Sequence, residues 1–195
     1  MRASYHKENQ GRSEKERELR MVLFASLGLI SHPLIFLSFF FTYIEYGSPY
    51  AATSPIPYTG WQLLGDAFHP QTSQRIADMH GWYPPLAAPL ALALLVALIL
   101  PALLYLACLL LLMTSVKWKN FLLRVGLVLC CWLNFIGFLL GFFWLLTSYG
   151  SAELHNPFQS IEPAFSILPA GFLLSLICCF LLRGSTQQLP EGSPM

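Results

Sequence analysis

The chain has 195 residues, of which 55% are hydrophobic and 11% are charged, and its formal net charge is +1. Because soluble domains carry roughly 25% charged residues, this composition indicates that much of the chain avoids water. It excludes a disordered chain, a collagen-like or coiled-coil fibre and a secreted disulfide scaffold, and the small net charge argues against nucleic acid as a partner.

Four apolar blocks divide the chain, at residues 21–46, 86–114, 121–148 and 161–183. Each block exceeds the roughly 20 residues that an α-helix needs to cross the hydrocarbon core of a bilayer. The alternating pattern typical of a membrane β-barrel is absent from them. The sequence therefore predicts an all-α integral membrane protein, a bundle of four transmembrane helices.

The N-terminal segment, residues 1–20, is charged, and Ser13 and Glu16 match a capping box. We expect a helix to begin near Ser13 and to continue into the first span. That first apolar block is far longer than the 7–15 residues usual for a signal-peptide core, so we expect it to be retained as a span.

Lysine and arginine residues predict which way the bundle is oriented. Six of the eleven precede the first span, three lie in the connection of residues 115–120 or just inside the third span, and one closes the fourth span. Arg75 alone lies elsewhere. Cytoplasmic segments carry an excess of these residues. We therefore expect a multi-pass protein of the cell membrane with both termini in the cytoplasm.

The connection between the first two spans, residues 47–85, begins with a stretch rich in proline and glycine that argues against regular structure. Trp61, Leu64 and Phe68 then recur at helical spacing, and a second short helix is predicted over 72–79. We expect this loop to form a lid over the outer mouth of the bundle. The other outer connection, 149–160, is short, and the tail, 184–195, is polar and predicted to be disordered.

Two polar side chains stand out within the spans, His32 next to Pro33 and Asn134 in the third span. Polar groups are costly there, and a hydrogen bond between these two would satisfy both. His32 could alternatively carry a proton or contact a ligand. Packing is the favoured interpretation, because no Asp, Glu or Lys lies well inside any span to complete a proton relay.

Small residues recur four positions apart in three spans, a spacing that permits close approach of helices: Ala93 and Ala97, Gly137 and Gly141, Gly171 and Ser175.

The five cysteines also lie within spans: Cys108, Cys130, Cys131, Cys178 and Cys179. They are interpreted as buried, inert thiols, with acylation of Cys178 and Cys179 near the inner surface as the alternative.

Three carboxylate–imidazole pairs fall in the outer connections: Asp66 and His69, Asp78 and His80, Glu153 and His155. If they converge, they could bind zinc or another divalent ion and support a metal-dependent enzyme facing outward. No HExxH or other metal-binding spacing accompanies them.

Because His32 is the one imidazole at depth, a single chain cannot supply two axial histidines to a haem, and no cofactor is predicted.

Four spans, inner termini and a long first outer loop containing Gly60-Trp61-x-Leu63-Leu64 resemble the topology of claudins and related tetraspan proteins. The cysteine pair that defines the claudin loop is missing from this loop. The resemblance implies a topology and carries little about function.

The sequence favours a non-catalytic protein, an accessory or assembly subunit that packs against other subunits in a larger membrane complex. Two alternatives stay open. One is a carrier or sensor of a lipid or small molecule, with the lid and a cavity near His32 and Asn134 as its binding site. The other is the outward-facing metal-dependent enzyme described above.

Overall fold

The computed structural model describes residues 2–46, 56–69, 88–114, 118–154 and 159–187. Within these residues five helices and three strands form. The helices are α1 (Arg2–Ser38), α2 (Gly60–Asp66), α3 (Ala88–Leu112), α4 (Lys119–Leu154) and α5 (Pro163–Gln187), and the strands are β1 (Thr42–Tyr46), β2 (Ile56–Thr59) and β3 (Gln159–Ile161).

Four helical stretches of the described chain are long and apolar enough to cross a membrane: Lys15–Ser38, Ala88–Leu112, Asn120–Ser148 and Pro163–Thr186. Their mean hydropathy ranges from 1.9 to 2.9. The predicted helical class and the four helices of spanning length are thereby confirmed. Such helices are compatible with an integral multi-pass membrane protein.

The four long helices form a closed ring in which each has its main contacts with two others. Helix α1 packs against α3 and α5, and α4 packs against the same two helices. Helices that follow one another in the chain are therefore neighbours, as expected for spans joined end to end. The buried side chains fall in two clusters, one beneath the strands around Phe39 and Phe165, the other around Tyr105 and Cys179.

A small antiparallel sheet closes one end of the bundle, which we call the sheet end. Its strand order is β2-β1-β3, and Ile44 of β1 pairs with Tyr58 on one side and Ile161 on the other. The backbone N–H of Glu162 also donates to the carbonyl of Tyr43 at 2.9 Å. The sheet thus joins the end of the first span to the start of the fourth.

The sheet was not predicted from the sequence, and it corrects two expectations. The first span was expected to run to residue 46, but α1 ends at Ser38, and residues 42–46 form β1. The stretch after residue 47 was expected to lack regular structure, but residues 56–59 form β2. Pro57 is tolerated there because β2 is an edge strand, where the missing N–H breaks no central pairing.

Other boundaries also differ from the predicted ones. Helix α1 begins at Arg2 rather than near Ser13, so the expected capping box lies inside a helix. Helix α4 continues to Leu154, six residues beyond 148, and α5 continues to Gln187, into the segment expected to be disordered. Only α2 of the expected lid helices falls in the described chain, since the helix predicted over 72–79 lies outside it.

Helix α2 is placed by a capping box that the sequence analysis did not single out. The N–H of Gln62 donates to the Thr59 hydroxyl at 3.3 Å, and the N–H of Thr59 donates to the Gln62 side chain at 2.8 Å. Two amides that a helix start leaves unpaired are thereby satisfied. Leu63 and Leu64 are then buried against the bundle.

Candidate functional site: a polar layer across the four long helices

Five polar side chains, one or two from each long helix, meet inside the bundle, and we call them the polar layer: Ser31, His32, Tyr105, Asn134 and Ser175. None of them exposes more than 2% of its surface. Polar groups in such surroundings are costly unless they are hydrogen-bonded. Whether each donor and acceptor in the layer has a hydrogen-bond partner therefore indicates whether the layer is complete by itself.

The hydrogen bonds of His32 fix the position of its proton. Its Nδ1 lies 2.9 Å from the carbonyl oxygen of Gly28, one helical turn back, and the Ser31 hydroxyl donates to the same oxygen at 2.7 Å. A carbonyl only accepts, so Nδ1 carries the hydrogen and donates. In the neutral imidazole, Nε2 is then an acceptor.

Asn134 is oriented in a similar way by its own helix. Its Nδ2 donates to the carbonyl of Cys130 at 2.9 Å, which leaves Oδ1 as an acceptor. The Asn134 side chain lies beside the imidazole of His32. Neither His32 Nε2 nor Asn134 Oδ1 has a hydrogen-bond partner among the described residues. Each of these two side chains thus donates to a backbone carbonyl of its own helix, and the hydrogen bond predicted between them stays a prediction.

Tyr105 is part of this layer, and the sequence analysis missed it. Its hydroxyl donates to the backbone carbonyl of Ser175 at 2.6 Å, and the Ser175 hydroxyl lies 3.3 Å from it. Its ring centroid is 5.8 Å from that of His32. A tyrosine well inside an otherwise apolar span was the signal that could have revealed it, since a buried phenol needs a hydrogen-bond partner.

Glycines let large side chains fill the interior around the polar layer. A Cβ atom on Gly28 would overlap the Tyr105 ring, and one on Gly171 would overlap Ile35. On Gly137 it would lie 2.5 Å from Phe172. The glycines of the predicted pairs thus face other helices of the same bundle, and Gly141 similarly meets Leu168. Ala97 is fully buried, Ala93 only partly so.

The cysteines border the polar layer towards the other end of the bundle. All five are free thiols and buried. The Sγ atoms of Cys131 and Cys179, which belong to α4 and α5, lie 2.8 Å apart. The sequence did not predict which thiols meet, because that depends on how the two helices are registered.

Above the polar layer, an aromatic cluster joins the bundle to the sheet. Tyr43 stacks on Phe165 with centroids 4.6 Å apart, and Trp144 and Phe165 form a T-shaped pair with centroids 5.0 Å apart. The Tyr43 hydroxyl is 2.7 Å from that of Ser38, yet burial dominates and raises the pKa of Tyr43. Trp61 of α2 packs on Phe39 at 5.2 Å. This packing holds α2 against the mouth of the bundle.

Three of the six candidate metal ligands lie outside the described ranges. Asp66 is half-buried at the end of α2, and His69 is exposed three residues later. Asp78, His80 and His155 are not in the described ranges, and of Glu153 only the backbone, in α4, is described. Within the described ranges no three metal-binding side chains gather.

Asp66 instead affects a neighbouring tyrosine. Burial and, secondarily, the negative charge of Asp66 raise the pKa of Tyr58 in the edge strand β2. Asp66 therefore lies close enough to Tyr58 for its charge to act on the edge strand β2.

No family model matches the chain, and neither the curated proteins nor the solved structures contain a match to it. Function must therefore be inferred from the geometry of the chain itself.

Proposed function

We propose that the chain is a non-catalytic, multi-pass membrane protein that serves as an accessory or assembly subunit of a larger membrane complex. In this proposal it resides in the cell membrane, its N and C termini are cytoplasmic, and the sheet end faces outward. Its partners are the bilayer and other membrane proteins.

The filled interior is the observation that carries this proposal. Tyr105, Phe172 and Ile35 each occupy the space that a glycine of another helix leaves open. The close approaches that small residues allow are thus used within the bundle, where a transporter would need a passage. Contacts with other molecules are then made by the outer surface of the bundle.

The outer surface of α4 is the side we assign to a partner helix. Phe121, Trp132 and Phe143 of α4 are exposed, whereas the exposed large side chains of α3 up to Leu110 are all aliphatic. Trp132 lies near the middle of its span and exposes 61% of its surface. Tryptophan favours the headgroup region over the centre of the bilayer, so a central, outward-facing indole is better accommodated by a protein partner than by lipid.

A photocrosslinking residue at position 132 tests this assignment in the native membrane. The matched control is Ile99, which is 56% exposed near the middle of α3. We expect a discrete protein adduct from position 132 and lipid adducts alone from position 99. Lipid adducts from both positions, together with a lone monomer after purification in mild detergent, would contradict the subunit role.

Sidedness has its own test. Epitope tags at the two termini should be unreachable by antibody in sealed cells and should become reachable after permeabilisation. Labelling of either tag in sealed cells would contradict the proposed orientation.

A second candidate, a carrier or sensor, is favoured by one specific observation, the two unpaired acceptors at His32 Nε2 and Asn134 Oδ1. A ligand that completes them must bring hydrogen-bond donors, such as a hydroxyl or amine group. Screening lipids and small alcohols by thermal unfolding would test it. Stabilisation that His32→Ala abolishes would support this candidate, and the same stabilisation in the variant would remove it.

A further inference from the structure

The thiols of Cys131 and Cys179 meet in the contact between α4 and α5. Their Sγ atoms are 2.8 Å apart, and the Cys179 thiol also donates to the carbonyl of Leu127 at 3.2 Å. Both residues are buried, at 8% and 0% exposure. A small rotation of the side chains would bring the sulfur atoms to the bonding distance of about 2.05 Å.

The contact between Cys131 and Cys179 follows from the way in which α4 and α5 pack along their length. Gly141 faces Leu168, and Gly137 faces Phe172. From Gly137 to Cys131 is about 9 Å along α4, and from Phe172 to Cys179 is about 10 Å along α5 in the opposite direction, at 1.5 Å per residue. The thiol pair thus lies further along the same α4–α5 interface in which Gly137 and Gly141 contact Phe172 and Leu168.

The depth of the pair determines which oxidants can reach it. Cys131 lies about 16 Å along the helix from Asn120, and Cys179 lies about 10 Å from Thr186, the ends of their spans. Both positions fall inside the hydrocarbon region of a bilayer. Hydrated oxidants are excluded there, whereas a lipid-soluble quinone is not.

We propose that Cys131 and Cys179 form an interhelical disulfide on reaction with a quinone-class oxidant dissolved in the membrane. The two S–H bonds break and one S–S bond forms, while the quinone takes the two electrons and two protons and leaves as the hydroquinone. The cross-link joins the third and fourth spans covalently. It is independent of the subunit role proposed above.

Counting thiols in the full-length chain tests the reaction. The chain is reconstituted in liposomes under anaerobic conditions, treated with an alkylated benzoquinone, denatured and labelled with a maleimide. The number of labelled thiols should fall from five to three, and peptide mapping should recover Cys131 joined to Cys179. Oxidised glutathione added from the water should leave five labelled thiols.

Serine variants provide the controls. Cys131→Ser and Cys179→Ser should each keep all remaining thiols free, whereas Cys130→Ser and Cys178→Ser, which change the adjacent residues, should still lose two thiols. Five labelled thiols in the treated wild-type chain would overturn the proposal. So would a quinone adduct in place of the cross-link, a cross-link through Cys130 or Cys178, or equal cross-linking by oxidised glutathione.

Discussion

The substitution Gly137→Ala tests whether the interior of the bundle is as filled as the structure indicates. Gly137 lies on α4 and faces the ring of Phe172 on α5. An added Cβ would lie 2.5, 2.6 and 2.8 Å from three atoms of that ring. Favourable carbon–carbon contacts occur at about 3.5–4.0 Å, so the ring must move by roughly 1 Å. Phe172 is fully buried, so that movement must displace its neighbours.

The expected magnitude follows from two opposing effects. Overpacking of a filled core costs about 1–3 kcal/mol. Replacing glycine by alanine within a helix stabilises the helix by up to about 1 kcal/mol. We therefore expect Gly137→Ala to lower the free energy of unfolding by up to about 2 kcal/mol.

The matched control is Gly126→Ala on the same helix, where an added Cβ would meet nothing within 4 Å. At Gly126 only the higher helix propensity of alanine acts, so the free energy of unfolding should rise by up to about 1 kcal/mol. Reversible unfolding in detergent micelles, followed by circular dichroism, measures both variants. Phe172→Leu, which provides room, should partly rescue Gly137→Ala in a double-mutant cycle. Equal changes at Gly126 and Gly137 would refute the reasoning.

Two further predictions concern the sheet end. Gly60→Ala should destabilise the chain by about 1–3 kcal/mol, because its Cβ would lie 2.9 Å from the Cα of Phe39, which cannot rotate away. Gly65→Ala has open space and should not destabilise it, as thermal unfolding would show. Asp66→Asn should lower the raised pKa of Tyr58 by removing a like charge, measured as phenolate absorbance against a Tyr58→Phe blank. Since a raised pKa gives stability that is lost as pH increases above about 10, Asp66→Asn should also reduce that alkaline loss.

The spans could be predicted because a bilayer sets their length and hydropathy, but their ends could not. Phe39 and Phe41 are as apolar as the helix before them, so composition extends the span past Ser38. The chain leaves the helix there because residues 42–46 pair with β2 and with β3, more than a hundred residues later. Pairing at that distance leaves no local pattern, and strands this short give little periodicity.

Two members of the polar layer could be predicted from the sequence, but Tyr105 and the hydrogen bonds of the layer were not predicted. His32 and Asn134 were identified because polar side chains are rare at depth, and they do lie side by side. Their hydrogen bonds were not predictable, since each donor is satisfied by a carbonyl of its own helix. The contact of Cys131 with Cys179 depends on the register of two helices, which the spacing within either helix does not determine.

Tyr105 shows why the polar layer and the glycines form one arrangement. Helices α3 and α5 are not neighbours in the ring of main contacts. The Tyr105 hydroxyl nevertheless reaches the carbonyl of Ser175, and its ring lies against Gly28 of α1, where any side chain would block it. The same glycine offers its carbonyl to His32 Nδ1. Gly28 thus leaves room for the Tyr105 ring that bonds α3 to α5, and its carbonyl orients the imidazole whose Nε2 is unpaired. A change in the hydrogen bonding of His32 would therefore act where α1, α3 and α5 are held together.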